Sequence, residues 1–244
     1  MYGFLISISS IFSLLIAEKM LPKKIKKDDF WTLSLFLLFF SILGGRLYHV
    51  IDFWSYYSQN PLNILYLNQG GLGIFGALFF GFAVLFLFSK IKKIPFLLLS
   101  DLYLFWAFLV QAFGRFGNWF NKELFGLPTN TLFKIYIPYE NRPKNFKEFS
   151  YFHPLFFYEA FLDFLAFAFF VFLYKKHKIS LGRGIYTSLY LILYGLFRIL
   201  LEQFRFSSDT FEFLNIRISY LISSGFILIG LLLLKRTLSY HSKV

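Results

Sequence analysis

The run IPFLLLSDLYLFWAFLVQAF, residues 94–113, is followed without a break by GRFGNWFNKELFG, residues 114–126. A membrane-spanning helix needs roughly 20 mostly apolar residues, and the first stretch meets that length. The second stretch places an arginine, two asparagines, a lysine and a glutamate where such a helix reaches the interface. A charge at the edge of the hydrocarbon is costly unless a partner or a ligand uses it. We therefore expect the chemistry of the chain at this point.

The composition is that of a membrane protein. Of the 244 residues, 57% are hydrophobic and 16% are charged, whereas about a quarter are charged in soluble domains. Cysteine is absent, which excludes disulfides and cysteine nucleophiles, so that any reacting thiol must arrive on a substrate. The net charge of +12 is divided among short clusters between apolar runs, which favours loops beside anionic lipid over nucleic-acid binding. The histidine spacing fits no metal site, and we expect no cofactor.

Seven apolar runs approach spanning length, which predicts an all-α, polytopic membrane protein of seven transmembrane helices. We find no repeat and no linker, and therefore expect one membrane domain over residues 1–244. The predicted spans are 2–17, 30–51, 71–89, 94–113, 155–174, 185–204 and 218–234.

Basic clusters predict the orientation of these spans. They follow every odd-numbered span, at 19–27, 90–93, 175–183 and 235–243. Because cytoplasmic loops carry the excess of lysine and arginine, the N-terminus is expected outside and the C-terminus in the cytoplasm. The longest outer segment, 114–152, carries basic residues against this bias, and we expect it to form a small periplasmic head between the fourth and fifth spans.

Three arginines, Arg46, Arg115 and Arg198, lie in or at the ends of apolar runs. Each costs about 2.5–3.5 kcal/mol at the centre of a membrane, and less near the interface. They must therefore be paired or bind an anion. Buried ion pairs that fix helix packing are one interpretation, and a functional anion site is the other and the one we favour.

Polar residues recur at helical spacing on three of the spans. They are Tyr194, Arg198, Glu202 and Arg205 on the sixth span, Gln111, Arg115 and Asn118 on the fourth if its helix continues, and Glu159 with Asp163 on the fifth. The carboxylates are placed to neutralise the arginines. For Tyr194 and Gln111, ordinary helix packing is an equal alternative.

Residues 114–126 read G-R-x-G-N-[aromatic]-x-N-x-E-x-x-G, which resembles the signature of the prolipoprotein diacylglyceryl transferase family. Five further places resemble the same family in the same order, namely 44–48, 70–76, 101, 153–159 and 194–202. Residues 71–76 also match the dinucleotide fingerprint G-x-G-x-x-G, which we reject because no strand precedes it. Phe75 departs from the family, since many members have histidine or tyrosine there and phenylalanine accepts no proton.

The resemblance implies transfer of the diacylglyceryl group of phosphatidylglycerol to the lipobox cysteine of a prolipoprotein. It also implies the bacterial cytoplasmic (inner) membrane, with an active site near the outer leaflet. The expected catalytic residues are Arg115, Arg198 and Asn118, with Glu202, Glu159 and Tyr2 as open candidates for the general base. The expected residues for binding phosphatidylglycerol are Arg115, Arg198, Gly126, Asn121, Glu123, Arg46, Arg205 and Tyr194. The alternatives are a membrane transporter and a catalytically inactive relative that binds lipid or lipoprotein.

The alternation of basic clusters generates a prediction about sidedness. Cysteines that replace Lys24, Lys92 or Lys176 should be unreactive toward an impermeant maleimide in intact cells, whereas a cysteine replacing Lys144 should react. The cysteine-free chain gives no background labelling. Labelling at position 92 without lysis would contradict this orientation.

Overall fold

The computed structural model of the chain describes residues 2–66, 73–206, 212–213 and 216–241, and residues 2, 74–75, 212–213, 216–218 and 240–241 by their backbone alone. The side chains of Tyr2 and Phe75 therefore lie outside the described part, and the role predicted for Tyr2 stays a prediction. No element longer than two residues in the described ranges is a strand.

Within the described residues the chain forms eight α-helices, which agrees with the all-α prediction. They are α1 (Tyr2–Lys19), α2 (Lys27–Asp52), α3 (Trp54–Tyr57), α4 (Ile74–Ile91), α5 (Phe96–Asn121), α6 (Leu155–Lys175), α7 (Ile185–Glu202) and α8 (Ile218–His241). Two short antiparallel pairs accompany them: β1 (Ile135–Tyr136) with β2 (Tyr151–Phe152), and β3 (Glu212–Phe213) with β4 (Ile216–Arg217).

Five of the described segments are long and apolar enough to cross a membrane, and each overlaps a predicted span. These segments are Lys27–Asp52, Phe96–Asn121, Leu155–Lys175, Ile185–Glu202 and Ser219–Ser239. Helices α1 and α4 overlap the two remaining predicted spans. The chain is thus a helical, multi-pass membrane protein, and the count of seven spans and the periplasmic position of the head stay predictions.

Contacts divide the chain into two compact units, Glu18–Ser100 and Met1–Ala17 with Asp101–Val244. In the first unit α2 and α4 pack backbone to backbone at Gly44 and Gly76, since a Cβ on either glycine would collide with the other's carbonyl oxygen. Small residues permit such an approach between membrane helices. That the chain forms a single domain therefore stays a prediction.

In the second unit, an aromatic cluster joins α5, α6 and α7, the three helices that carry the polar stripes. The Phe105 ring lies 5.0 Å from Tyr186 and 6.0 Å from Phe170, measured between centroids, and all three side chains are buried. Edge-to-face aromatic pairs stabilise beyond their buried area. The three helices are therefore held together independently of their charged groups.

Asp101 ties α5 to the start of α7. Its carboxylate is fully buried and accepts N–H groups from Gly182, Gly184 and Thr187 at 2.8–2.9 Å, and the Thr187 hydroxyl at 2.7 Å. Gly182 and Gly184 have positive φ angles, which glycine adopts at little cost. A carboxylate at a helix N-terminus also complements the helix dipole. At 1.5 Å per residue this tie lies roughly 20 Å along both helices from Arg115 and Arg198, so it sets their relative height.

The segment between α5 and α6 has a small apolar core of its own. Ile137 and Phe152 are fully buried there against Phe206, which follows α7. Partly buried hydrophobic residues surround them, namely Phe125, Leu127, Ile135 and Phe146. This core fixes the end of the stretch 114–126 and the chain that follows it. The helical part of that stretch extends to Asn121.

Replacing Asp101 with alanine should destabilise the protein strongly, because three buried donors and one partly buried donor lose their acceptor. An unsatisfied buried group costs about 1–3 kcal/mol, so we expect a total loss of about 3 kcal/mol or more. The apparent thermal unfolding midpoint in detergent measures this effect. Asp29→Ala is the matched control, because its ion pair with Lys92 is partly exposed and worth about 1 kcal/mol or less. Equal effects of the two substitutions would contradict the assignment.

Candidate active site

Glu159 is the centre of a charged cluster formed by three elements of the second unit. Its Oε2 lies 2.6 Å from Arg115 Nη2, and its Oε1 lies 2.9 Å from Arg205 Nη2 and 3.8 Å from Arg198 Nη1. Arg115 comes from α5, Glu159 from α6 and Arg198 from α7. Glu159 is buried, and an ionised buried carboxylate is tolerated only where paired charges and hydrogen bonds compensate for desolvation.

Glu202 is the second carboxylate of the cluster. It has no exposed surface, and its Oε2 lies 3.3 Å from Arg198 Nη2 and 3.9 Å from Arg205 Nε. Helix α7 ends at Glu202, so Arg205 was placed wrongly as the last residue of a helical stripe. Arg205 reaches Glu159 from the turn that follows the helix. In this turn the backbone N–H of Arg205 donates to the Glu202 carbonyl.

Three guanidinium groups and two carboxylates leave this cluster with one excess positive charge when both glutamates are ionised. It borders a small cavity lined by Arg115, Glu159, Asp163, Tyr194, Phe197, Arg198 and Leu201. The space open to the centre of a water molecule is about 20 Å³, enough for roughly one water. The lining of the cavity thus combines arginines and carboxyl groups with apolar side chains.

The two asparagines of the stretch 114–126 are held by its glutamate. Glu123 Oε1 accepts hydrogen bonds from Asn118 Nδ2 at 3.0 Å and from Asn121 Nδ2 at 3.1 Å. Lys122 and Leu124 have positive φ angles, because the chain turns sharply where α5 ends. Asn118 is buried, and its Oδ1 has no hydrogen-bond partner among the described residues. Glu123 therefore fixes the direction in which the Asn118 amide points.

Gly126 has a packing role in the described structure. A Cβ at this position would meet the Phe204 carbonyl oxygen and the Leu155 side chain. Its N–H donates to the His153 carbonyl at 2.8 Å, and Leu127 N–H donates to the Phe204 carbonyl at 2.8 Å. This close approach holds the segment of Arg205 beside the start of α6. Contact between Gly126 and a substrate stays a prediction.

His153 supports the same region through its neighbours. Its Nδ1 lies 3.2 Å from the Tyr158 hydroxyl, which donates to the Phe133 carbonyl. Partial burial lowers the pKa of His153, so the imidazole is neutral at neutral pH. Its ring also packs on Phe204. Residues 153–159 therefore fix the start of α6, about two helical turns before Asp163.

The remaining predicted residues fall in different surroundings. Arg46 belongs to the unit Glu18–Ser100, where its guanidinium donates to the carbonyls of Asn63, Ile64 and Tyr66. Its charge is thus used inside that unit, and a role toward substrate stays a prediction. Tyr194 lines the cavity and stacks on Tyr190 with ring centroids 5.9 Å apart.

Gln111 and Asp163, polar residues at helical spacing on α5 and α6, have different surroundings. Gln111 Nε2 donates to the Tyr190 hydroxyl at 2.6 Å, which is the packing role considered for it. Asp163 lines the cavity but is absent from the site residues chosen from the sequence. Its i, i+4 relation to Glu159 was the available signal.

These features define a class, that of a polytopic helical membrane protein with a buried arginine–carboxylate site suited to an anionic lipid. The profile of the prolipoprotein diacylglyceryl transferase family matches residues 1–236. The chain belongs to that family, which makes it a transferase of lipoprotein biosynthesis in the inner membrane.

Individual relatives agree along nearly the whole chain. A protein of Trichormus variabilis is 36% identical over 94% of this chain and 82% of its own length. One from Synechocystis sp. is 37% identical over 94% and 82%, and one from Acaryochloris marina is 34% identical over 97% and 88%. All three are named phosphatidylglycerol–prolipoprotein diacylglyceryl transferase. The transporter and the inactive relative are therefore not favoured.

Replacing Glu159 with glutamine should destabilise the cluster, because Arg115, Arg198 and Arg205 each lose the carboxylate that they share. Breaking a buried ion pair from one side costs about 3–5 kcal/mol. Adding Arg205→Gln should recover part of that loss, and a double-mutant cycle on detergent-solubilised protein measures the coupling. Glu123→Gln is the control, because its partners are neutral amides and its side chain is exposed. Strict additivity of the two substitutions would contradict the shared ion pair.

Proposed function

We propose that this chain transfers the diacylglyceryl group of phosphatidylglycerol to the lipobox cysteine of a prolipoprotein. The products are a thioether-linked lipid and glycerol phosphate. The observation that carries the proposal is the convergence of Arg115, Arg198 and Arg205 on one buried carboxylate beside a cavity. The names of the relatives supply the two substrates.

The reaction requires fixed positive charge at one place. The thiolate sulfur attacks the glycerol carbon, the bond from that carbon to the phosphodiester oxygen breaks, and the electron pair stays on the phosphate. Negative charge therefore grows on the leaving group, where preorganised donors are most effective. Arg115 and Arg198 supply planar guanidinium forks, and Asn118 adds a neutral amide donor whose direction Glu123 fixes.

Glu159 occupies these guanidiniums while no phosphate is bound. Because the cavity has room for roughly one water, a phosphate must take over part of the contacts that Glu159 makes. Glu202 is too buried to meet the substrate. Its role is to hold Arg198 and Arg205 in position during that exchange.

The positive-inside pattern supports a site near the outer leaflet. It puts the C-terminal ends of α5 and α7 and the N-terminal end of α6 outside, and these ends carry Arg115, Glu202 and Glu159. The same pattern supports seven spans, an outer N-terminus, a cytoplasmic C-terminus and a periplasmic head over 114–152. Phosphatidylglycerol and the lipobox segment then both reach the site from the outer leaflet of the bilayer.

The site should tolerate lysine poorly at either arginine. Lysine keeps the charge of Arg115 or Arg198 but loses the fork, and one lost charge-stabilising contact costs on the order of 3 kcal/mol, or ~100-fold in rate. Transfer from phosphatidylglycerol to a lipobox peptide measures this in vitro, and rescue of a strain depleted of its own diacylglyceryl transferase measures it in cells. Arg183→Lys, at an exposed position, is the matched control. Full activity of either active-site lysine variant would exclude recognition by the fork.

A further inference from the structure

We propose that Asp163 is the proton acceptor for the lipobox thiol, an inference that rests on the proposed function. A cysteine thiol has a pKa of about 8.5, so its attack on the lipid carbon requires removal of a proton. A positioned side chain typically contributes about 10²–10⁴ to the rate of such a step.

Asp163 is the carboxyl group of this region that has no assigned task. It is 6% exposed and lines the cavity beside Arg115 and Arg198. Within the part of the chain that the structure describes, its side chain forms no hydrogen bond and no ion pair. Burying an unpartnered carboxyl group is costly. An acceptor that must be free to take a proton from a substrate has a reason to bear that cost.

The other acidic groups are engaged. Both oxygens of Glu159 lie within 3 Å of guanidinium nitrogens, those of Arg115 and Arg205. Glu202 is fully enclosed and packed against Arg198 and Arg205, so that a substrate thiol has no path to it. A tyrosine hydroxyl is a poor proton acceptor unless it is ionised, so the tyrosines beside the cavity do not fill this role.

The charged and titratable groups around Asp163 come from three helices. Arg115 on α5 attracts its charge, and Glu159, one turn away on α6, repels it. Helix α7 contributes Tyr190, Tyr194 and Arg198. Arg115 is thus shared between the proposed phosphate site and the proposed proton acceptor. This places the acceptor next to the reacting centre.

The depth of Asp163 fits the direction of attack. It lies four residues beyond Glu159 on α6, about 6 Å further from the start of that helix, which is toward the hydrocarbon in the proposed orientation. A phosphate held by the arginines leaves the attached glycerol carbon on the hydrocarbon side of the cluster. The displacement requires sulfur on the face of the carbon opposite the departing oxygen. The thiol proton is therefore released on the side where Asp163 lies.

The step balances without a further reactant. The Asp163 carboxylate takes the proton of the S–H group, the sulfur–carbon bond forms, and the carbon–oxygen bond to phosphate breaks. The electron pair of the broken carbon–oxygen bond stays on the glycerol phosphate, which then receives the proton from Asp163. The carboxylate is restored at the end of each turnover.

The test compares a lipobox peptide containing cysteine with the same peptide containing selenocysteine, whose selenol ionises below neutral pH without a base. Asp163→Asn should lower transfer to the cysteine peptide at least 100-fold and lower transfer to the selenocysteine peptide far less. Asp163→Glu should keep part of the activity on cysteine and shift its pH profile, while leaving the selenocysteine profile unchanged. Asp29→Asn, in the other unit, should leave the ratio of the two rates as in the wild type.

The ratio of the two rates within one membrane preparation cancels differences in the amount of folded enzyme. An equal loss on both peptides would overturn the proposal, because it would assign Asp163 a structural role. Wild-type activity of Asp163→Asn on cysteine would overturn it as well. If the wild-type protein transfers lipid to neither peptide, the proposed function fails, and that outcome is distinct from both.

Discussion

Three guanidinium groups share one buried carboxylate, and the rest of the second unit serves this arrangement. Glu159 and the arginines each pay a desolvation cost that only short, well-oriented contacts offset. The helices that carry them must therefore be held at fixed separation and height. The aromatic cluster at Phe105 provides the separation, and Asp101 at the opposite end of α5 provides the height.

Much of this could be predicted from the sequence, because helical periodicity and hydropathy are local signals. Both placed Glu159, Arg198 and Glu202 on helix faces that the structure brings together. Arg205 shows the limit of a periodic pattern, since α7 ends before it and the residue acts from a turn. Arg205 still pairs with Glu159, because the long arginine side chain reaches the same carboxylate from a turn as it would from a helix.

The remainder depends on contacts that no local pattern contains. Asp101 contacts Thr187, which lies 86 positions away in the sequence. Position 126 needs glycine because a Cβ there would collide with the carbonyl oxygen of Phe204. Asp163 was visible as a polar residue at helical spacing. That it has no hydrogen bond or ion pair among the described residues depends on three helices together. Family resemblance identified the positions of the motifs. Only the fold shows which of those residues form the charged cluster and which pack the backbone.

The contacts of Glu159 also have a consequence for turnover. A site with three free arginines would hold a phosphate dianion tightly, and glycerol phosphate carries more charge after the reaction than the lipid phosphodiester did before it. Glu159 is an internal competitor for the same guanidiniums, at a fixed and high local concentration. Under the proposed function, this competition weakens the binding of glycerol phosphate and of free phosphate, and it favours product release over ground-state affinity.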